Sequence, residues 1–149
     1  MTVSTNSGNK FYVSTTATPP ATYDAAGYGA LTYAEIGEVV DAGTLTAEYA
    51  VTEHNPVGSR DLQKLKGTRD NGSHDFGLGF DKVDAGQIVM EKALDSDENY
   101  HFKVAMKSGD TIYYSGLVTK FDYVFGGADD VVGAETSVAI NKRRVYDPA

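Results

Sequence analysis

The feature that most constrains the fold of this chain is an alternation of apolar and polar residues with a period of two. The alternation is clearest over residues 45–51, 76–80, 100–106 and 132–140. Successive side chains of a β-strand point to opposite faces, so this pattern places the apolar residues of each stretch on one face. The sequence therefore predicts a mainly β fold whose strands are half buried.

Two of these stretches predict further detail. Residues 100–106 and 111–125 are separated by Ser108-Gly109-Asp110, a composition typical of a turn, so the two stretches are predicted to form a hairpin. Within the second stretch the apolar phase changes beside Gly116, from Ile112 and Tyr114 to Leu117, Thr119, Phe121, Tyr123 and Phe125. A change of phase inside one strand predicts a β-bulge at Gly116.

One helix is predicted over residues 84–95. Asp84 with Gln87 three positions later resembles a capping box at a helix N-terminus. An apolar stripe follows, and it consists of Val89, Met90, Ala93 and Leu94. We expect this stripe to pack on the sheet, with Gln87, Glu91 and Asp95 on the polar side of the helix.

The composition argues against several functions. The chain has 149 residues, which suits one domain over residues 1–149, and it contains no cysteine for disulfides or thiolate metal sites. A net charge of −8 disfavours nucleic-acid binding through neutralised phosphates. Neither a secretory signal nor a membrane-spanning run is predicted, so no membrane insertion is expected.

A search for reactive or ligand-binding motifs predicts no catalytic, metal or cofactor site. The three histidines, His54, His74 and His101, lack the spacings typical of metal ligands. Residues 95–106 begin like a calcium loop but lack its glycine and its final glutamate. Residues 77–82 begin like a GxGxxG loop but end in Lys82, and their glycines alternate with apolar residues as in a strand.

A long polar segment, residues 52–73, lies between two predicted strands. It has four basic residues against three acidic ones, a net charge of +1, whereas the other residues have 9 bases against 18 acids, a net charge of −9. Loops of this length in compact domains are usually functional. We interpret the segment as a thin extended hairpin that is stabilised by a neighbouring chain, because it has too few apolar residues for a core of its own. Its basic residues are Arg60, Lys64, Lys66 and Arg69, and we expect them to face acidic surfaces of identical subunits.

Several short motifs occur in a recognisable order. They are YAEIGEV at residues 33–39, GTL at 43–45, KGTRD at 66–70, GLGF at 77–80 with the predicted helix after it, and GLVTKF at 116–121. Together they resemble the tail tube protein, or major tail protein, of long-tailed bacteriophages (siphoviruses) and related gene transfer agents. The resemblance extends over about residues 10–141.

This resemblance implies a β-sandwich or barrel-like fold with one flanking helix and a long extended arm between strands. Six copies would form a ring, the inner sheets would join into one continuous barrel, and rings would stack into a hollow tube. The implied location is the virion tail, assembled in the host bacterial cytoplasm. The implied partners are other copies of the chain and other tail proteins, namely the tape measure, the tail terminator, and the baseplate or distal tail proteins.

DNA would pass through such a tube during genome ejection without binding to it. Each Lys or Arg on the wall would bind phosphates, so we expect an acidic or neutral lumen. Glu48 and Glu135 lie on strand faces made of small polar residues, and we predict that both line the lumen. Asp122 is a third candidate, beside the unfavourable cation Lys120. The alternative for these faces is contact with outer solvent.

Two other functional classes remain. A ligand- or carbohydrate-binding β-sandwich is the main alternative, because such domains bind sugars through exposed aromatic residues and the chain has ten tyrosines, although it has no tryptophan. An enzyme is the least supported class, since no acid, base and nucleophile stand out together.

Overall fold

The computed structural model describes residue 3 and residues 5–149. The strands are β1 (Lys10–Ser14), β2 (Tyr33–Ile36), β3 (Val39–Asp41), β4 (Glu48–His54), β5 (Gln63–Asp70), β6 (Ser73–Gly79), β7 (Tyr100–Ala105), β8 (Thr111–Val124) and β9 (Gly133–Asp147), and the helices are α1 (Ala25–Gly29) and α2 (Ala85–Leu94). Seven strands form an antiparallel sheet in the order β2-β1-β7-β8-β9-β6-β3, and β4 pairs only with β5 in a separate hairpin. The predicted mainly β fold with an extended hairpin between strands is confirmed.

The seven-stranded sheet curls over itself. Three strands separate β1 from β6 in the sheet, yet the rings of Phe11 on β1 and Phe76 on β6 stack with their centroids 6.3 Å apart. A flat sheet would hold these rings more than 15 Å apart, because neighbouring strands are about 4.8 Å apart. The concave side encloses the core, which includes Val13, Phe102, Tyr114 and Val138.

Helix α2 covers part of this core with three of the four predicted residues, since Val89 packs against the core beside Met90 and Ala93. Met90 and Ala93 are fully buried, as expected, but Leu94 is 37% exposed and Gln87 is 2% exposed. The prediction that Leu94 packs on the sheet and that Gln87 lies on the polar side was wrong. The predicted extent is correct to within one residue at each end.

Gln87 is buried because its amide pairs with three backbone groups from two segments, one between β2 and β3 and the other at the end of β6. Its Nε2 donates to the carbonyl oxygens of Gly79 at 2.9 Å and Gly37 at 3.3 Å, and its Oε1 accepts from the backbone N–H of Asp81 at 2.9 Å. Asp84 caps the helix by accepting from the N–H of Gln87 at 3.1 Å. The side chain of Gln87 therefore connects the start of α2 to the sheet instead of completing a capping box.

A second helix, α1, was not predicted, so the expectation of one helix was wrong. Asp24 caps it by accepting from the N–H of Gly27 at 2.8 Å. Tyr28 on this helix is fully buried, and its hydroxyl lies 2.8 Å from the Oγ of Ser115. Its five residues are too few for a helical period to be visible in the sequence.

The bulge that changes the phase of β8 lies after Gly116. The pairing of β8 with β9 is irregular around Ser115, but the inward-facing side chains Tyr114 and Val118 keep one phase across this region. The phase changes at Thr119, an extra residue between the pairs Val118–Val138 and Lys120–Ser137. Leu117 and Thr119 are therefore not on the core face, contrary to the prediction. At Gly116 a Cβ would lie 2.2 Å from the carbonyl oxygen of Ala139, so glycine permits close approach of β9.

Candidate functional site

The convex side of the sheet carries a polar face formed by β3, β6, β9 and β8. Residues paired directly across neighbouring strands project from the same face of a sheet. One row of such pairs runs Asp41–Gly77–Glu135–Asp122, and the next runs Asp75–Ser137–Lys120. We call these seven residues the polar face. It brings together two of the predicted lumen residues, Glu135 and Asp122.

Lys120 is held between these two carboxylates. Its Nζ lies 3.5 Å from Glu135 Oε2 and 3.5 Å from Asp122 Oδ2. The hydrogen bond with Glu135 and the charge of Asp122 raise the pKa of the Lys120 ammonium group above its ordinary value. All three side chains are exposed, so these ion pairs add little to stability. They do neutralise the positive charge of Lys120, which has a carboxylate on each side.

The polar face remains acidic after this pairing. It contains the four carboxylates of Asp41, Asp75, Asp122 and Glu135 against the single ammonium group of Lys120. Asp75 also accepts a 2.5 Å hydrogen bond from the Oγ of Ser137, which orients that carboxylate across the strand pair. The arrangement presents polar side chains and a net negative charge.

Glu48 lies elsewhere. It is the first residue of β4 and pairs with Asp70 at the base of the β4–β5 hairpin. The structure therefore brings two of the three lumen candidates together and separates the third from them. The assignment of all three to a lumen stays a prediction.

The polar segment forms most of the β4–β5 hairpin, as the sequence predicted. The hairpin pairs with no strand of the seven-stranded sheet, and its loop at residues 55–62 is exposed almost throughout. Apolar side chains on it also point into solvent, and these are Val51, Val57, Leu62 and Leu65. A two-stranded hairpin is at best marginally stable alone in water, so these apolar groups lack the burial that usually stabilises strands.

A bulge in β5 brings the cations of the hairpin to one face. The pairs Tyr49–Arg69 and Val51–Lys66 leave one extra residue on β5, at Gly67–Thr68. Lys66 and Arg69 are three positions apart and would otherwise point to opposite faces. Instead Lys66 Nζ lies 5.0 Å and Arg69 Cζ lies 5.6 Å from the centroid of the Tyr49 ring.

Lys64 pairs with Glu53 on this face, whereas Arg60 lies in the loop. Sequence reasoning missed the residues that join this cluster from the main sheet. Arg143 on β9 donates to the hydroxyl of Tyr49 at 3.4 Å, and Arg144 donates to the carbonyl oxygen of Leu45 at 3.3 Å. The side chain of Arg69, followed by the charge of Arg143, lowers the pKa of the Tyr49 hydroxyl. The three consecutive basic residues Lys142-Arg143-Arg144 were the feature of the sequence that could have indicated this contact with the hairpin.

Two of the histidines are buried and hydrogen-bonded inside the fold. His74 Nε2 lies 2.6 Å from the carbonyl oxygen of Ala42, and His74 Nδ1 lies 2.5 Å from the hydroxyl of Tyr114. His101 Nδ1 lies 2.6 Å from the Oγ of Ser115. Among the residues that the structure describes, no three His, Asp or Glu side chains are grouped so that they could hold a metal ion. Neither helix in the described part is long and apolar enough to cross a membrane.

Comparisons with known proteins show similarity at the level of structure. No protein-family model matches the chain, and no curated protein sequence matches it. A chain from the sixfold-symmetrised baseplate of the anti-feeding prophage has a TM-score of 0.68 and 12% identity, with 97% of each chain covered. A chain from the virion of a native gene transfer agent particle has a TM-score of 0.63 and 15% identity, with 77% of this chain and 88% of that chain covered.

The tail tube of SPP1 is also similar. It has a TM-score of 0.61 and 14% identity, with 95% of this chain and 77% of that chain covered. Identities this low establish the fold and not the function. The chain has a tail-tube-like fold.

Proposed function

We propose that this chain is the structural subunit of a phage-like tail tube, in which six copies form a ring and rings stack into a hollow tube. The observation that carries the proposal is the match in fold over 97% of both chains with a component of a sixfold-symmetrised assembly. In this role the protein resides in the tail of a virion or related particle. It then contacts the tape measure, the tail terminator, and the baseplate or distal tail proteins.

The edges of the sheet support assembly. Strand β2 is one edge and β3 is the other, and Val40 on β3 is 79% exposed. Unpaired sheet edges favour pairing with another chain, and a ring of head-to-tail contacts closes them. The β4–β5 hairpin gives a second reason, because its exposed apolar side chains need a neighbour for burial.

Electron microscopy of the purified protein at high concentration tests the proposal. Hexameric rings or tubes are expected. A persistent monomer would contradict a tube subunit and favour the alternative of a ligand- or carbohydrate-binding β-sandwich.

A truncated hairpin tests the role of the polar segment. Residues 52–65 are replaced by Asn-Gly, which joins Val51 to its partner Lys66 through a two-residue turn. The cluster around Tyr49 is retained. We expect a folded monomer that does not form tubes, and normal tubes from this variant would refute an assembly role.

The polar face is the proposed lumen wall, because it is polar throughout and has a net negative charge. The double variant Asp122→Lys with Glu135→Lys is expected to assemble but to release DNA from particles more slowly, most strongly at low salt. The matched control is Asp97→Lys with Glu98→Lys, which makes the same charge change in the exposed turn after α2. Unaltered release by the first variant at low salt would remove both residues from the wall.

Glu48 requires a separate test, since it lies at the base of the hairpin. Glu48→Lys alone is expected to slow DNA release if that base borders the lumen. Release at the normal rate at low salt would exclude Glu48 from the wall while leaving the polar face as the candidate.

A further inference from the structure

An exposed apolar patch lies where β8 ends and β9 begins. It consists of Tyr123, Phe125, Val131 and Val132, of which Val131 is 83% and Phe125 is 68% exposed. The ring centroids of Tyr123 and Phe125 are 6.5 Å apart, and Tyr123 packs edge-on against the half-buried Phe80 at 5.1 Å. We call Tyr123, Phe125, Val131 and Val132 the apolar patch. Large exposed apolar patches on soluble proteins usually mark interaction sites.

Acidic residues surround this patch. Glu91 on α2 accepts a hydrogen bond from the hydroxyl of Tyr123, Asp81 follows Phe80 in the chain, and Asp129 and Asp130 precede Val131. One cation, Lys82, lies in the adjoining loop, so the rim has four carboxylates against one ammonium group. A partner that fits this surface therefore presents apolar side chains together with positive charge.

The loop of the β4–β5 hairpin has this composition. Val57 is fully exposed and Leu62 is 47% exposed, and the cations Arg60 and Lys64 lie beside them. The polar segment at residues 52–73 has a net charge of +1, opposite in sign to that of the remaining residues, although Asp61 and Glu53 lie next to Arg60 and Lys64. The loop therefore complements the apolar patch mainly in hydrophobicity, and it offers two cations to the acidic rim.

The two surfaces lie at opposite ends of the same strand. The hairpin joins the sheet just before Ser73, the first residue of β6, and the apolar patch adjoins Gly79, the last residue of β6, through its pairing with Gly133. Seven residues of strand separate these ends by about 20 Å. A contact between one end and the other of identical molecules is head-to-tail, and such contacts produce rings or open stacks rather than closed pairs.

We infer that the hairpin loop of one copy docks on the apolar patch of the next copy, with Arg60 and Lys64 against the acidic rim. This inference rests on the proposed function and names the partner surface of the hairpin. It explains why Val57 and Phe125 are both exposed in the isolated chain, since each covers the other in the assembly.

Cysteine cross-linking tests this docking, because the chain has no cysteine of its own. One preparation has Val57→Cys and a second has Val131→Cys, and the two are mixed, assembled and treated with a short bifunctional maleimide. We expect a covalent dimer in the mixture and little in either preparation alone, because like ends do not meet. The control replaces Val131→Cys with Val40→Cys, which is similarly exposed on the edge strand β3.

The outcomes separate this inference from the proposed function. Tubes that form without the cross-link, or a cross-link equally strong with Val40→Cys, would overturn the docking while leaving the tail tube role intact. If the unmodified chain forms neither rings nor tubes, the tail tube role fails. In that case the cross-linking experiment is still informative for the docking when it is carried out at high protein concentration. A covalent dimer between the Val57→Cys and Val131→Cys chains would support the docking, and its absence would overturn it.

Substitution of the apolar patch gives a second measurement. Phe125→Ser with Val131→Ser removes exposed side chains, so the monomer is expected to fold while tube growth is lost; normal tubes would refute the docking. This variant keeps its hairpin, and the truncated-hairpin variant keeps its patch. In a mixture of the two, the hairpin of one variant can dock on the patch of the other, but no further copy can be added. We therefore expect only short assemblies, and long tubes from the mixture would refute a head-to-tail contact.

Discussion

Met90 and Leu94 lie one turn apart on α2 and provide a matched pair of substitutions. Met90 is fully buried, whereas Leu94 is 37% exposed. Truncation of a buried Met to Ala leaves a cavity and costs about 2–5 kcal/mol of unfolding free energy. Truncation of Leu94 opens no enclosed cavity and loses only partial burial, so we expect a cost of about 1 kcal/mol. Alanine is a good helix former, so neither change weakens the helix itself.

The assay is thermal unfolding of the monomer, followed by circular dichroism below the concentration at which the protein assembles. For a domain of 149 residues, 1 kcal/mol corresponds to a change in Tm of about 2–4 °C. Met90→Ala is therefore expected to lower Tm by about 4–20 °C, and Leu94→Ala by about 2–4 °C. Equal losses would show that the two residues contribute equally to packing and would refute the observed orientation of α2. A monomer that is unchanged by Leu94→Ala but no longer assembles would identify this side of the helix as an interface.

Two further predictions concern stability. Burial lowers the pKa of His74, whose neutral ring donates from Nε2 to the carbonyl oxygen of Ala42 and accepts at Nδ1 from the hydroxyl of Tyr114. As the pH falls, this histidine is therefore protonated in the unfolded chain before it is protonated in the folded one. The free energy of unfolding should decrease below about pH 6.5 by up to about 1.4 kcal/mol per pH unit. Urea unfolding between pH 5 and 8 measures this slope, which His74→Asn should reduce. Gly86→Ala should destabilise the fold despite the better helix propensity of alanine, because its Cβ would lie 2.3 Å from the carbonyl oxygen of Glu35. Gly58→Ala, where a Cβ meets nothing within 4 Å, is the control, and an equal Tm for the two variants would contradict the close approach.

The sequence predicts the strands of this fold well, because burial on one face forces a period of two. Thr136 and Val138 on β9 and Phe76 on β6 face the core where alternation places them. The hairpin was predictable for the opposite reason, since a long segment with few apolar residues cannot belong to a core. The sequence predicted the position of helix α2 along the chain correctly. It predicted the buried side of the helix less well, because Gln87 was assigned to the surface. Its amide is buried because it pairs with backbone groups of Gly79 and Asp81 before the helix and of the distant Gly37, and no sequence pattern around Gln87 marks these contacts.

Both candidate surfaces depend on single extra residues that a periodic pattern does not locate. In β8, Thr119 shifts the phase so that Val118 faces the core while Lys120 and Asp122 face outward beside Glu135. In β5, the extra residue at Gly67–Thr68 brings Lys66 and Arg69 to the same side of Tyr49. Without its bulge β8 would direct Lys120 and Asp122 toward the core, and without its bulge β5 would place Lys66 and Arg69 on opposite faces. The contact of Lys120 with Glu135 and the cluster of cations around Tyr49 are therefore products of strand irregularity, and composition alone supplies only the charges that the bulges then group.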